Sequence, residues 1–255
     1  MKNHIYFLLL MLLFCSCKGY KQVAYFQDLN KDGVINQEIK NYTTLKLQKD
    51  DLLSISISSI EPKAAAVYNI GNGGGVSAVG MGSSSGQDGY LIDENGEIQI
   101  PTLGTVKVGG LTTSEAKILI TKKLVPFLGN PVVNLKLINF KISILGDVGA
   151  PGVYPIQGER ISFVEAISKA GDLNISGLRK NILLVRETDG ARKFIRLDLN
   201  DKDIFNSPYY YLQPNDVIYV QPSNSKYAAV DNTTRNISFA LSGISLLLVL
   251  FTTFK

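Results

Sequence analysis

Apolar and polar residues alternate between Asp51 and Ser58, where Leu53, Ile55 and Ile57 are interleaved with Ser54, Ser56 and Ser58. A period of two predicts a strand with one buried and one wet face. Tyr90–Asp93 and Glu97–Ile100 flank Glu94-Asn95-Gly96, and Asn-Gly tolerates the positive φ of a tight turn, so the two segments are expected to form a hairpin. Thr112-Thr113-Ser114-Glu115 is a capping box that predicts a helix to about Leu124, with Ala116, Leu119, Ile120 and Lys123/Leu124 inward. Pro131–Phe140 alternates again, with Val133, Leu135 and Leu137 on one face. A second unit repeats this grammar. Lys141–Asp147 predicts a strand, Ala150-Pro151-Gly152 a turn, and Val153–Pro155 a return strand. Ser162-Phe163-Val164-Glu165 is another capping box, for a helix to Ala170 that Gly171 terminates. Ile182–Arg186 and Lys193–Leu197 pair across Thr188-Asp189-Gly190, and Val217–Val220 closes the unit. The expected fold class is α+β, in two units.

The two ends follow other patterns. Lys2 precedes the apolar run Ile5–Phe14 and the tract Cys15-Ser16-Cys17, the layout of a secretion signal and too short for a spanning helix. Ser16 supplies the small residue that a signal peptidase needs before Cys17. The tract resembles a lipobox, in which the cysteine is acylated and the chain is cut before it. Phe14 departs from the aliphatic residue usual at its position, and Lys18 supplies no acidic signal for inner-membrane retention. At the other end, residues 236–254 carry no charge, with Arg235 before them and Lys255 after them. At about 1.5 Å per residue a helix of that length is roughly 28 Å, close to the hydrocarbon thickness of a bilayer. Helical phasing places Thr234, Ser238, Ser242, Ser245 and Thr252 on one stripe, broken by Val249. One reading is a single anchor whose serines bond back to their own helix. The other is a seam where copies pack side by side, with Ser238, Ser242, Ser245 and Thr252 facing a shared lumen.

Composition narrows the chemistry. Apolar residues make up 45% and charged residues 19% of the 255 positions, which suits a folded chain. The net charge of +4 comes without a basic block, so no nucleic-acid partner is expected. The sequence holds two cysteines and one histidine, and cleavage before Cys17 removes Cys15 and His4. A chain processed in that way has no imidazole and no free thiol, which excludes histidine-based triads and Cys/His metal sites. No carboxylate pair stands out as catalytic. Neither an enzyme activity, a metal nor a cofactor is expected.

Several motifs have plainer readings. Asp28–Ile35 begins like a calcium loop, but the position that needs a bidentate glutamate is Ile39, which favours a solvated turn. The glycine-rich stretch from Ile70 to Gly89 lacks a following Gly-Lys-Ser/Thr and predicts a mobile loop. Tyr209, Tyr210 and Tyr211 have faces suited to stacking on sugar rings, while the plainer reading is a half-buried strand entry. Leu47-Gln48-Lys49-Asp50-Asp51-Leu52-Leu53-Ser54-Ile55 echoes Leu212-Gln213-Pro214-Asn215-Asp216-Val217-Ile218-Tyr219-Val220, each a polar turn whose aspartate launches an alternating strand.

The first of these echoes, with Tyr90–Gly104 and Gly110-Leu111-Thr112, resembles the export domain of the bacterial polysaccharide biosynthesis/export lipoproteins, the Wza-type outer-membrane capsule exporters. Ile144–Tyr154, followed by Ala166–Leu173, resembles that family's soluble-ligand-binding β-grasp (SLBB) domain. The resemblance implies a homo-oligomeric ring, octameric in the best-known members, with C-terminal helices forming a barrel through the outer membrane. It implies passage of a capsular polysaccharide or exopolysaccharide chain, with an inner-membrane co-polymerase and its tyrosine kinase domain as partner. Only one β-grasp unit is evident here, so a shorter periplasmic body is expected than in larger exporters.

The expected organisation is a signal peptide (1–16), a lipidated tether (17–41), the export domain (42–140), the SLBB domain (141–222), a linker (223–235) and a transmembrane helix (236–254). The body is expected in the periplasm, held to outer-membrane lipid through Cys17. The alternative to a conduit is a monomeric carbohydrate-binding lipoprotein.

Overall fold

The structure is a computed structural model that describes residues 23–29, 33–39, 41–72, 89–188, 190–230 and 232–253. The signal peptide, Cys17, most of the glycine-rich stretch, Asp189 and Phe254 lie outside the described residues.

Strand β1 (Leu52–Ser58) is the centre of a three-stranded sheet, flanked by β2 (Tyr90–Leu91) and β5 (Val132–Leu137). It runs antiparallel to β5 in a register that sets Leu53 opposite Leu137 and Ile57 opposite Val133. The alternation therefore places Leu53, Ile55, Ile57, Val133, Leu135 and Leu137 inside. Where β2 ends, the Asn69 amide replaces a strand partner, accepting from Ile57 N–H (2.8 Å) and donating to Ile57 O (2.7 Å). Asn69 lies in a tight helical turn, Val67–Asn72, that follows the short helix α1 (Pro62–Ala66).

The hairpin expected between Tyr90–Asp93 and Glu97–Ile100 does not form. Its turn does, closed by Gly96 N–H to Asp93 O at 3.0 Å with Gly96 at φ +77°. The strands then separate: β2 joins β1, while β3 (Glu97–Ile100) pairs with β4 (Gly104–Lys107). Pairing beyond the turn is decided by burial of Tyr90, Ile98 and Ile100, which local sequence does not encode.

Helix α2 (Thr113–Leu124) starts at the expected capping box, and Ala116, Ile120 and Leu124 are fully buried on one face. Thr112 N–H donates to the Glu115 carboxylate at 2.8 Å while Glu115 N–H donates to Thr112 Oγ1 at 3.2 Å. Such a cap contributes about 0.5–2 kcal/mol.

The second unit is a mixed five-stranded sheet in the order β7-β6-β10-β8-β9. Its strands are β6 (Lys141–Gly146), β7 (Gly152–Pro155), β8 (Ile182–Thr188), β9 (Ala191–Leu197) and β10 (Val217–Val220). Central strands β6 and β10 run parallel and every other pair is antiparallel. Helix α3 (Phe163–Lys169), capped by Ser162 and Glu165, buries Phe163, Ala166 and Ile167. One helix on a mixed sheet with a parallel central pair is the β-grasp arrangement. Gly146 is required at the end of β6: its φ is +94°, and a Cβ there would lie 2.0 Å from Val220 O.

Two expectations about the connections need correcting. Residues 23–29 are docked on the second unit, with Phe26 and Gln27 donating backbone N–H to Leu199 O and Asn200 O at 3.0 and 2.8 Å. The expected linker 223–235 is mostly helical: α4 spans Asn224–Val230, and α5 runs over Asn232–Thr253. Among the described residues no helix is long and apolar enough to cross a membrane. The physical reason lies in the ends of α5. Polar Asn232, Thr233, Thr234, Arg235 and Asn236 occupy its start and two threonines its finish. Only Ile237–Phe251 forms an apolar tract, roughly 22 Å at about 1.5 Å per residue against about 30 Å of hydrocarbon.

Candidate functional site

The two echoed segments fold into the same turn. Gln48 N–H donates to Asp51 Oδ2 and Gln213 N–H donates to Asp216 Oδ2, both at 2.8 Å. In each, the aspartate N–H returns to the glutamine carbonyl at 3.2 Å. Asp50 and Asn215 take matching left-handed conformations, at φ +67° and +65°. The short polar side chains at these positions suit that region. Both aspartates are buried, Asp51 at 4% exposure and Asp216 at 1%.

Their charges are handled differently. Arg186 forks onto Asp216, with Nε to Oδ1 at 2.9 Å and Nη2 to Oδ2 at 2.6 Å. Burial still pushes the Asp216 carboxyl above the usual range, with Arg186 opposing the shift. Burial also pushes Asp51 up, to about 6; the Gln48 N–H pulls down, and Asp50 adds to the rise.

These turns face each other across a cleft of about 1350 Å³ between the two units. Lys46, Lys49 and Asp50 line one wall, and Arg192, Gln213 and Asn215 the other. Lys49 pairs with Glu94 at 3.1 Å and Arg192 with Glu187 at 2.5 Å. The cleft is thus lined by amide and charged side chains that can donate and accept hydrogen bonds. Among the described residues no cluster of three or more His, Cys, Asp or Glu is placed to hold a metal ion. Asp28, from the calcium-like segment, is engaged by Lys202.

The three tyrosines join a cluster that the sequence order does not reveal. Tyr210 packs at a tilt against Phe205 (5.5 Å) and edge-on against Tyr211 (5.1 Å), and Phe205 in turn holds Phe26 at 4.8 Å. Tyr211 meets Tyr42 edge-on, and the Arg160 guanidinium lies 4.9 Å from both rings. Tyr209 lies under Arg186. All three are half-buried. The aromatic cluster holds Phe26 and Tyr42 against the second unit.

Asp147 also escapes a motif search. Its side chain is fully buried and accepts from Lys226 Nζ (2.5 Å), Asn174 Nδ2 (2.9 Å) and Ser176 Oγ (2.5 Å). Burial alone would raise this carboxyl, but those donors outweigh it and hold it below the usual range. Lys226 belongs to α4, so the ion pair fixes the chain as it leaves the sheet toward α5.

On α5 itself, Ser242 and Ser245 share a shallow groove with Leu241, Leu246 and Val249. Ser242 Oγ donates back to Ser238 O at 2.8 Å. The Thr252 side chain lies outside what the structure describes. Around this stripe Phe239, Leu246, Leu247 and Phe251 are between 65% and 74% exposed.

Comparison with known proteins agrees with this architecture. Residues 40–138 match the family described as polysaccharide biosynthesis/export protein, and residues 140–220 match the SLBB domain. The chain is similar to the EPS I polysaccharide export outer membrane protein EpsA of Ralstonia solanacearum, 24% identical over 164 residues, covering 63% of this chain and 43% of that protein. The corresponding EpsA of Ralstonia nicotianae is 23% identical over 167 residues, covering 64% of this chain and 44% of its own length. The matched region thus spans less than half of either relative. With the export and SLBB matches following one another in the order of the two folded units, the chain belongs to the Wza-type polysaccharide biosynthesis/export family.

Proposed function

We propose that the protein is one subunit of an oligomeric outer-membrane conduit for a capsular polysaccharide or exopolysaccharide. In this reading it is anchored by lipid on Cys17, has its body in the periplasm, and catalyses no step itself. The observation that carries the reading is the exposed apolar surface of α5. Ile237, Phe239, Leu241, Ile244, Leu246, Leu247, Val249, Leu250 and Phe251 all stand exposed on a single chain. Burial of such side chains contributes roughly 1.5–3 kcal/mol each. That surface favours lipid and neighbouring copies over water.

Copies of α5 packed side by side answer the shortness of its apolar tract. A short segment is accommodated by local thinning, by snorkelling of flanking Arg235 and Lys255, and by oligomerisation, and the bacterial outer membrane is itself thinner than average. The stripe of Ser238, Ser242, Ser245 and Thr252 then lines the lumen. Polymer arrives from an inner-membrane co-polymerase with its tyrosine kinase domain and leaves without a bond being made or broken here. The cleft between the units offers it polar contacts on the way.

The back-bond from Ser242 to Ser238 favours a second reading, a monomeric carbohydrate-binding lipoprotein in which α5 only anchors and Tyr209, Tyr210 and Tyr211 contact sugar. The two readings part on one experiment. Ser242→Leu combined with Ser245→Leu makes the lumen face oily, so surface polysaccharide is expected to be lost while the protein stays in the membrane fraction. Normal polysaccharide from the double variant would overturn the conduit.

A further inference from the structure

The loop 172–179, between α3 and β8, receives the chain from both ends of the protein. On the N-terminal side, Arg179 Nε donates to Val23 O at 2.8 Å and its guanidinium lies 5.7 Å from the Tyr25 ring. The Tyr25 hydroxyl donates to Asp172. On the C-terminal side, Pro222 bridges Gly177, and Ser223 N–H donates to Ser176 O at 2.8 Å. Lys226 reaches Asp147, the same carboxylate that Asn174 and Ser176 hold.

The loop is shaped from within by one buried cation. Arg179 is 6% exposed, and its Nη1 donates to Asn174 O (3.0 Å) and Gly177 O (2.7 Å). Its planar fork distributes charge over several carbonyls, which a lysine does not reproduce. Gly177 has no room for a side chain, since a Cβ would fall 2.8 Å from Asp147 O. Out of this tightly held loop projects Ile175, 73% exposed, with exposed Lys180 close by in the chain. Val23 lies six residues beyond Cys17. An extended chain covers at most about 3.6 Å per residue, so the loop sits within roughly 20 to 25 Å of the lipid-bearing position.

We propose that loop 172–179 is the membrane-docking surface of the protein. It clasps the lipidated N-terminal segment and the root of the C-terminal helix together and presents Ile175 to the phospholipid headgroup region. The proposal rests on lipidation of Cys17 and insertion of α5, and it adds which face of the folded body lies against the bilayer. An apolar side chain held between two membrane-directed segments gains by entering the interface. The clasp ties the orientation of the SLBB unit to both attachments.

The test uses full-length lipidated protein in phospholipid vesicles, with an NBD fluorophore on a single added cysteine at Ile175→Cys, Phe239→Cys or Ile118→Cys. Nitroxide-bearing lipids quench by depth. The probe at 175 is expected to be quenched by headgroup-level nitroxides, the probe at 239 by deep ones, and the probe at 118, on α2, by neither. Quenching at 239 without quenching at 175 overturns the docking surface and leaves helix insertion standing. No quenching at 239 overturns insertion itself. A probe at 175 that is shielded from aqueous iodide yet unquenched by lipid is covered by protein, which also overturns the proposal. Arg179→Ala is expected to abolish quenching at 175 and preserve it at 239. Tyr25→Phe, which removes one clasp contact outside the core, is expected to reduce it in part; unchanged quenching in both variants would contradict the clasp.

Discussion

The turns that open β1 and β10 share their backbone and their buried aspartate, yet one aspartate has an arginine fork and the other has none. Asp216 feeds the centre of a five-stranded sheet and is answered by Arg186 from the neighbouring strand β8. Asp51 feeds the centre of a three-stranded sheet, and the N–H of Gln48 is the donor that lowers its carboxyl pKa. A short sequence therefore sets a turn, whereas the charge inside the turn is governed by tertiary neighbours. It also separates the units: the SLBB turn is locked by an ion pair, while the export-domain turn carries a carboxyl that burial pushes up to about 6.

The largest effect is expected at Gly146, where the SLBB sheet has no room for a side chain. Gly146→Ala forces a Cβ into the Val220 carbonyl at a positive φ. The parallel β6–β10 pair is therefore expected to open at a cost on the order of 4 kcal/mol or more, read as loss of the SLBB transition in urea unfolding. Arg186→Ala comes next. It leaves Asp216 buried without its cation and is expected to cost about 3–5 kcal/mol in the same experiment.

Asp51→Asn has the opposite sign. The folded carboxyl titrates at about 6, above the roughly 3.9 of an unfolded chain. The folded state thus binds the proton more tightly, and ionising Asp51 weakens folding as pH rises through this window, with no further change above it. Asn keeps an oxygen for the Gln48 N–H and removes the charge. The variant is expected to gain about 1–3 kcal/mol at pH 7 and to lose that part of the pH slope, at about 1.4 kcal/mol per pKa unit. An unchanged slope between about pH 4 and 6 would show that Asp51 does not titrate as described. The smallest effect is expected from Glu94→Ala. Lys49 and Glu94 are both exposed, so the unfolding midpoint should not move.

Much of the fold was legible because it rests on local rules. Alternation located β1 and β5 through Leu53, Ile55, Val133 and Leu135, and the capping boxes at Thr112 and Ser162 located both principal helices. The separation of β2 from β3 leaves no local signal, because the turn at Asp93–Gly96 is real while the partners of its strands are chosen by distant burial. The docking of residues 23–29 left no periodic signal, since it uses backbone donors and isolated aromatics. Helix α4 was hidden in a polar stretch, and the role of Asp147 needed the distance to Lys226. Of the candidate site, the echoed turns were visible as sequence, but their meeting across one cleft was a matter of how the units pack.

Electron microscopy of the full-length lipidated protein, extracted in mild detergent, decides whether several copies build a conduit. Closed rings with a central opening are expected, flattened or lost when Ser242 and Ser245 are both leucine. A field of solitary particles, each the size of one chain, would contradict it.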